Sequence, residues 1–330
     1  MLYEIINRHA ESCRPYMGRF INHLPMAQLA LYQLTEDLVR VERFSAYFAR
    51  HFSVDPLQSN YPAVDSIDAC IGHRDLYEPC LDIVNEAMAS QGVELMLKQT
   101  LKAYPLGISS GLFHTLIRLG YAVEGYRVEP ESTDEVARAL AYYLTAYREA
   151  KTFSRQVDGD AFSAEMKSLT GSAPIQRIIQ SKSSLGQSLK ALYGSDEYLH
   201  MGFVVKGDEK DKVRRLLDYL NPLFNRTHDI VVLHCITGLH AAFMLKELFL
   251  DFEHALDILT TSITTHIQAA MPRDRFDRVC DAKAHSWDAL MRKGSASTDV
   301  HTIKLTYSCH QLYQVCSHDG LKEAALNKIE

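Results

Sequence analysis

The 330-residue sequence lacks any apolar run able to span a bilayer: the longest, near Ile230 to Leu248, is broken by His234, His240 and Lys246. Between Met1 and Arg19 there is no apolar core of the kind a signal peptide needs. A basic excess is also missing. With 35 Lys+Arg against 41 Asp+Glu the net charge is −6, which argues against nucleic acid or an anionic membrane as partner. The cysteines, Cys13, Cys70, Cys80, Cys235, Cys280, Cys309 and Cys316, are odd in number and form no C-x-x-C pair. Each lies in an apolar or helical stretch, the setting of a small buried hydrophobe. These absences point to a soluble protein in a reducing, cytoplasmic compartment.

Motifs are equally scarce. There is no G-x-G-x-x-G, P-loop, G-x-S-x-G or H-E-x-x-H, so a dinucleotide-binding domain and the common hydrolase signatures are not expected. The adjacent pairs His234-Cys235 and Cys309-His310 diverge by about 100° on a helix and do not suit one zinc ion. Strand signals are few; Met201 to Val205 is the best and has no evident partner.

What is present is helical periodicity. Ser132-Thr133-Asp134-Glu135 offers a capping box ahead of Val136, Leu140, Tyr143, Leu144 and Tyr147. Thr35-Glu36-Asp37 opens a helix through Leu38, Val41, Phe44, Phe48 and Phe52, and Pro25 suits a first helical turn after Asn22 and His23. Asp208 to Leu220 and Val279 to Arg292 read the same way. Asp229 to Leu259 reads as two buried helices. Gln156 to Ala161 and Gln180 to Gln187 read as loops. The expectation is an all-α fold, one large helical-bundle-like domain over residues 1–330 closed around a buried metal site.

The metal site is suggested by four of the fifteen histidines. His23 stands at the mouth of a predicted helix, while His114 and His234 interrupt apolar runs. His301 precedes Lys304 by three residues, on the same helical face. One such histidine is usually a hydrogen-bonded core residue; four on separate helices fit a bundle with one inward ligand per helix. His240 follows His234 by six residues, off that face, and is left out. Lys304 allows two accounts. Either its stem snorkels and the ammonium reaches water, or a desolvated amine takes up CO2 as a carbamate, an anionic oxygen ligand.

Four segments resemble the questin oxidase-like proteins. They are Asn22-His23-Leu24-Pro25-Met26; Phe113-His114-Thr115-Leu116-Ile117-Arg118-Leu119-Gly120-Tyr121-Ala122; Leu233-His234-Cys235-Ile236-Thr237-Gly238; and Trp287-Asp288 with Asp299-Val300-His301-Thr302-Ile303-Lys304-Leu305. They occur in the family's order across nearly the whole chain. Val300 stands where the family often has Glu, which removes a carboxylate beside His301.

The resemblance implies an oxidoreductase of secondary metabolism that opens a ring of a polycyclic aromatic ketone or quinone, by Baeyer–Villiger-like or dioxygenase chemistry. It implies non-haem Fe(II) held by His23, His114, His234, His301 and carboxylated Lys304, with O2 as co-substrate. Any NADPH requirement would be met without a binding motif in this chain. Asn22, Arg118 and Thr237 are candidate contacts to the ligands or to a small polyketide-type substrate. Self-association is possible for an amphipathic all-α chain. Two other readings stay open: a helical binding or scaffold protein with merely buried histidines, and a metal-dependent hydrolase using the same site.

Overall fold

Five aspartates set much of the helical framework. Asp37, Asp208, Asp229, Asp251 and Asp299 each stand just before a helix, and each accepts hydrogen bonds from its first-turn N–H groups. Each cap stabilises its helix by about 1 kcal/mol. In the computed structural model, which describes residues 1–276 and 285–330, helix dominates and the strands are two-residue pieces.

The helices that frame the site are α1 (Leu24–Thr35), α2 (Leu38–His51), α3 (Tyr77–Gln91), α4 (His114–Val128), α5 (Thr133–Thr145), α6 (Glu209–Thr227), α7 (Ile230–Met244), α8 (Phe252–Ala270), α9 (Trp287–Ala296), α10 (Val300–Cys316) and α11 (Gly320–Ile329). Four of them close a ring: α1 packs on α4 and α10, and α7 packs on the same two. The α4–α7 contact is close because Gly120 faces the Ala241 backbone; a Cβ there would lie 3.2 Å from the Ala241 carbonyl oxygen. The remaining helices surround this ring, with α5 between α3 and α4, and α11 against α6 and α10.

The ring helices run in one direction. His114 on α4, His234 on α7 and His301 on α10 lie around the His23 ring at the start of α1. About two turns later Tyr121, His240 and Tyr307 on α4, α7 and α10 meet again. All four helices therefore begin at one end, and the chain returns through the helices between them. Four N-termini together give that end a positive dipole field, which favours neutral imidazoles and anionic ligands over imidazolium.

The main core runs through the ring, from Met26 and Leu29 to Ile236, Leu239, Ile303 and Leu305. A smaller cluster, with Ile175, Ile179, Leu192 and Tyr198, sits among the short helices between Phe162 and Met201. No described helix is long and apolar enough to cross a membrane.

Local expectations met corrections. Val204–Val205 (β4) does have a partner: it pairs in parallel with Gln156–Val157 (β3), inside the stretch read as a loop. Two-residue strands are too short to show alternation, so the pairing left no pattern. The Ser132 capping box does not form, because the Ser132 hydroxyl donates to the Glu129 carbonyl and Glu135 is taken by buried arginines. The helix expected from Val279 begins at Trp287, and residues 277–284, Cys280 included, lie outside the described residues.

Candidate metal centre

Three of the four imidazoles are held by a hydrogen bond from Nδ1. A hairpin of β1 (Tyr16–Met17) and β2 (Phe20–Ile21), turned through Gly18 at φ +60°, delivers the Ile21 carbonyl, and His23 Nδ1–H donates to it at 2.7 Å. His114 Nδ1–H donates to the Gly111 carbonyl, and His234 Nδ1–H donates to the Ile230 carbonyl at 2.7 Å. His301 Nδ1 lies 3.6 Å from Asp299 Oδ1. A carbonyl only accepts, so Nδ1 carries the proton in the first three rings and Nε2 is left as a lone pair. Metal-bound histidines are oriented in this way.

The free nitrogens converge. The ligand atoms of His23, His114 and His234 lie within 4.8 Å of one another, and the His301 ring centre is 4.8 Å from that of His23 and 5.2 Å from that of His234. His23 Nε2 is 2.9 Å from His114 Nε2. With both Nδ1 protons committed, this is a contact between two lone pairs, which repel unless a cation lies between them. Two nitrogens on one metal at about 2.1 Å are about 3.0 Å apart at a right angle and about 3.4 Å apart in a tetrahedron. A separation of about 3 Å is of the size that two nitrogens bound to one metal ion take.

Protonation does not resolve the repulsion, because burial lowers every one of these imidazoles. His114 falls to about 3, and His23 and His234 fall well below the usual imidazole range. The positive charges of Lys304 and of the neighbouring rings add to this. His301 is lowered by burial too, with Asp299 opposing. Burial alone would raise the Asp299 carboxyl; the nearby His301 imidazole and the Lys328 ammonium at 2.8 Å instead hold it well below the carboxylate range.

Lys304 is fully buried and its Nζ has no hydrogen-bond partner; His234 Nε2 is orphaned in the same way. Snorkelling to water is thereby excluded. Burial pulls the Lys304 ammonium down to about 7. Two buried nitrogens without partners are what a metal-ligating group leaves when its polar atoms have nothing else to bind. The imidazole donors fit a divalent metal that accepts nitrogen ligands.

The other three candidates serve the frame. Asn22 Oδ1 accepts from Leu24 N at 3.0 Å and so fixes the start of α1, and Thr237 Oγ1 donates to the His234 carbonyl at 3.4 Å. Arg118 is buried in an ion pair with Glu135 (Nε–Oε1 2.8 Å), and Glu135 also binds Arg138 at 2.9 Å. Glu135→Gln is expected to lower unfolding free energy by about 3 kcal/mol or more, since a buried guanidinium loses its counter-charge. Urea denaturation checks this; a loss under about 1 kcal/mol would show the pair to be screened.

Sequence reasoning missed two features. Asp299 supplies a carboxylate 3.6 Å from His301 Nδ1, where Val300 stands in place of the family's frequent Glu. Its aspartate-before-helix position was the available signal, and the same residue caps α10. A cavity of about 730 Å³, lined among others by Gly111, Leu112, Leu189, Tyr193 and His266, adjoins the centre. The four imidazoles do not line it; Gly111, whose carbonyl holds His114, is the link. His240, left out of the ligand set, is held elsewhere, its Nδ1 3.0 Å from Ser308 Oγ.

Compared with known families and with curated proteins, the chain matches no family model and no curated sequence.

Proposed function

We propose that the protein is a non-haem Fe(II)-dependent oxygenase, oxidatively opening a ring of a polycyclic aromatic ketone or quinone. The observation that carries the reading is the 2.9 Å approach of two unprotonated imidazole nitrogens beside an unpartnered, fully buried lysine. The resemblance of four segments to questin oxidase-like proteins supplies the reaction class.

His23, His114 and His234 would hold the iron through Nε2, with His301 beside them, and Lys304 would complete the set as a carbamate. The uncharged amine attacks CO2, an N–C bond forms, and one proton leaves, so the group becomes a carboxylate-like anion. Burial favours this because it keeps much of the Lys304 amine neutral near pH 7. Bound iron supplies a one-electron path by which triplet O2 reacts with a closed-shell aromatic. The chain's own residues do the rest: the Ile21, Gly111 and Ile230 carbonyls fix three of the rings, and the Asp299 carboxylate lies 3.6 Å from Nδ1 of the fourth.

Loading metal-free protein anaerobically with Fe(II), then adding O2 and a panel of anthraquinones, tests the reading. Iron near one per chain and substrate-dependent O2 uptake are expected. A well-folded protein that neither retains iron nor consumes O2 with any substrate would sink it.

A further inference from the structure

We propose that a small monovalent anion of the chloride class binds among α3, α4 and α5. It would sit on the edge of the Arg118 guanidinium that faces away from Glu135, with the Tyr77 and Tyr142 hydroxyls as further donors. This site is separate from the metal centre and does not depend on the oxygenase reading.

The first observation is an unmatched charge. Arg118 Nε and Nη2 donate to the two Glu135 carboxylate oxygens at 2.8 and 3.2 Å, and Arg138 Nε donates to Glu135 Oε2 at 2.9 Å. The other Arg138 contact, to Asn7 Oδ1, is with a neutral amide. Two guanidinium groups therefore share one carboxylate. Glu78, the buried carboxylate of α3, is already matched by Arg14 at 2.9 Å. Arg118 is 1 % exposed and Glu135 2 %. Burial lowers the Arg118 guanidinium, but the Glu135 charge outweighs it and keeps the group protonated. A positive charge left over at this depth is costly. A water molecule would not neutralise it; an anion does.

The second observation is a set of bare donors. In a planar guanidinium whose Nε and one Nη hold a carboxylate, the other Nη points the opposite way. Arg118 Nη1 is that nitrogen, and it has no hydrogen-bond partner. The Tyr77 and Tyr142 hydroxyls, on fully buried residues, lack partners as well. Burial raises both phenols while the Arg118 charge opposes the rise, so both lie within its field and stay protonated. A guanidinium can only donate and a protonated phenol can donate, so an acceptor is what the three groups ask for. Because all of them are buried, that acceptor must be small. A halide accepts from every direction and can bridge donors brought by three helices.

The third observation is where the site lies. The Tyr142 hydroxyl abuts the turn that anchors His114: a Cβ on Gly111 would stand 3.0 Å from it, and the Gly111 carbonyl holds His114 Nδ1. Arg118 follows His114 by one turn of α4. An anion here would tie α3 and α5 to the helix that carries a proposed ligand.

The test titrates chloride against gluconate, at constant sodium, into the metal-free intact chain and follows the melting temperature. A saturable rise is expected, half complete below about 100 mM chloride. The double variant Tyr77→Phe with Tyr142→Phe keeps both rings and removes both hydroxyls. Its midpoint is expected to move at least about tenfold higher, since hydrogen bonds to a charged group are the strong ones. A native protein indifferent to chloride, a response that rises linearly without saturating, or an unmoved midpoint in the double variant would overturn the proposal. Should the double variant fail to fold, Tyr142→Phe alone is read the same way, and an unmoved midpoint there overturns it.

Discussion

Replacing His234 with alanine is expected to weaken iron binding by more than about 100-fold, exceeding the roughly 10–100-fold loss typical when an outer partner of a ligand is removed. His234 is 1 % exposed, its Nδ1 is committed to Ile230, and its Nε2 has no partner in the protein. Nothing nearby can replace that nitrogen. The effect should also appear in stability. A ligand present at 100 times its dissociation constant stabilises the native state by about 2.7 kcal/mol, so Fe(II) should raise the melting temperature of native protein and not that of His234→Ala. His240→Ala is the control: it deletes an equally buried imidazole of the same helix whose Nδ1 faces Ser308, and iron content should be retained. Equal iron content in native protein and His234→Ala, measured on folded samples, contradicts the ligand assignment.

Lys304→Met is expected to stabilise the metal-free, CO2-free protein near neutral pH. The substitution keeps a long apolar stem and removes a fully buried nitrogen without a partner. The sign follows from proton counts. Burial lowers the ammonium from 10.5 to about 7 in the folded protein. Below pH 7 both states carry the proton, and the folded state bears the full burden of a buried charge. Between about 7 and 10.5 the unfolded chain binds a proton that the folded one lacks, so native stability rises with pH. The slope from this group reaches about 1.4 kcal/mol per pH unit, on the order of 5 kcal/mol in all. The advantage of Lys304→Met should thus be greatest below pH 7 and shrink towards pH 10.5. Denaturant unfolding of both proteins across that range reads it directly. A stability difference that does not change with pH would mean the Lys304 amine is solvated in the native state. With iron and bicarbonate present the order should reverse, because the variant cannot form the carbamate.

Much of the frame was legible in residue order. Helices α1, α2 and α5 follow from Pro25, from Asp37 with its apolar sequel, and from the spacing of Val136, Leu140 and Leu144. The break between α7 and α8 follows from a run too long and too apolar for one exposed helix. Of the five residues singled out, the structure brings the ligand atoms of His23, His114 and His234 within 4.8 Å of one another, sets the His301 ring beside them and buries Lys304 one turn along α10, because each histidine lies at a helix start or on an inward face. Arg118 shows the limit. Its motif position suggested a role near the ligands, whereas Glu135, seventeen positions along the chain, holds it in the frame.

Residue order by itself determined helix, periodicity and which side chains interrupt apolar faces, since those depend on neighbours three or four positions away. Only the tertiary structure decided that four helices start at one end. It also decided that the Ile21, Gly111 and Ile230 carbonyls set the tautomers, that Asp299 backs His301, and that His266 faces a cavity beside the centre. Those features join groups far apart in the chain, and they arise from how helices pack around a ring.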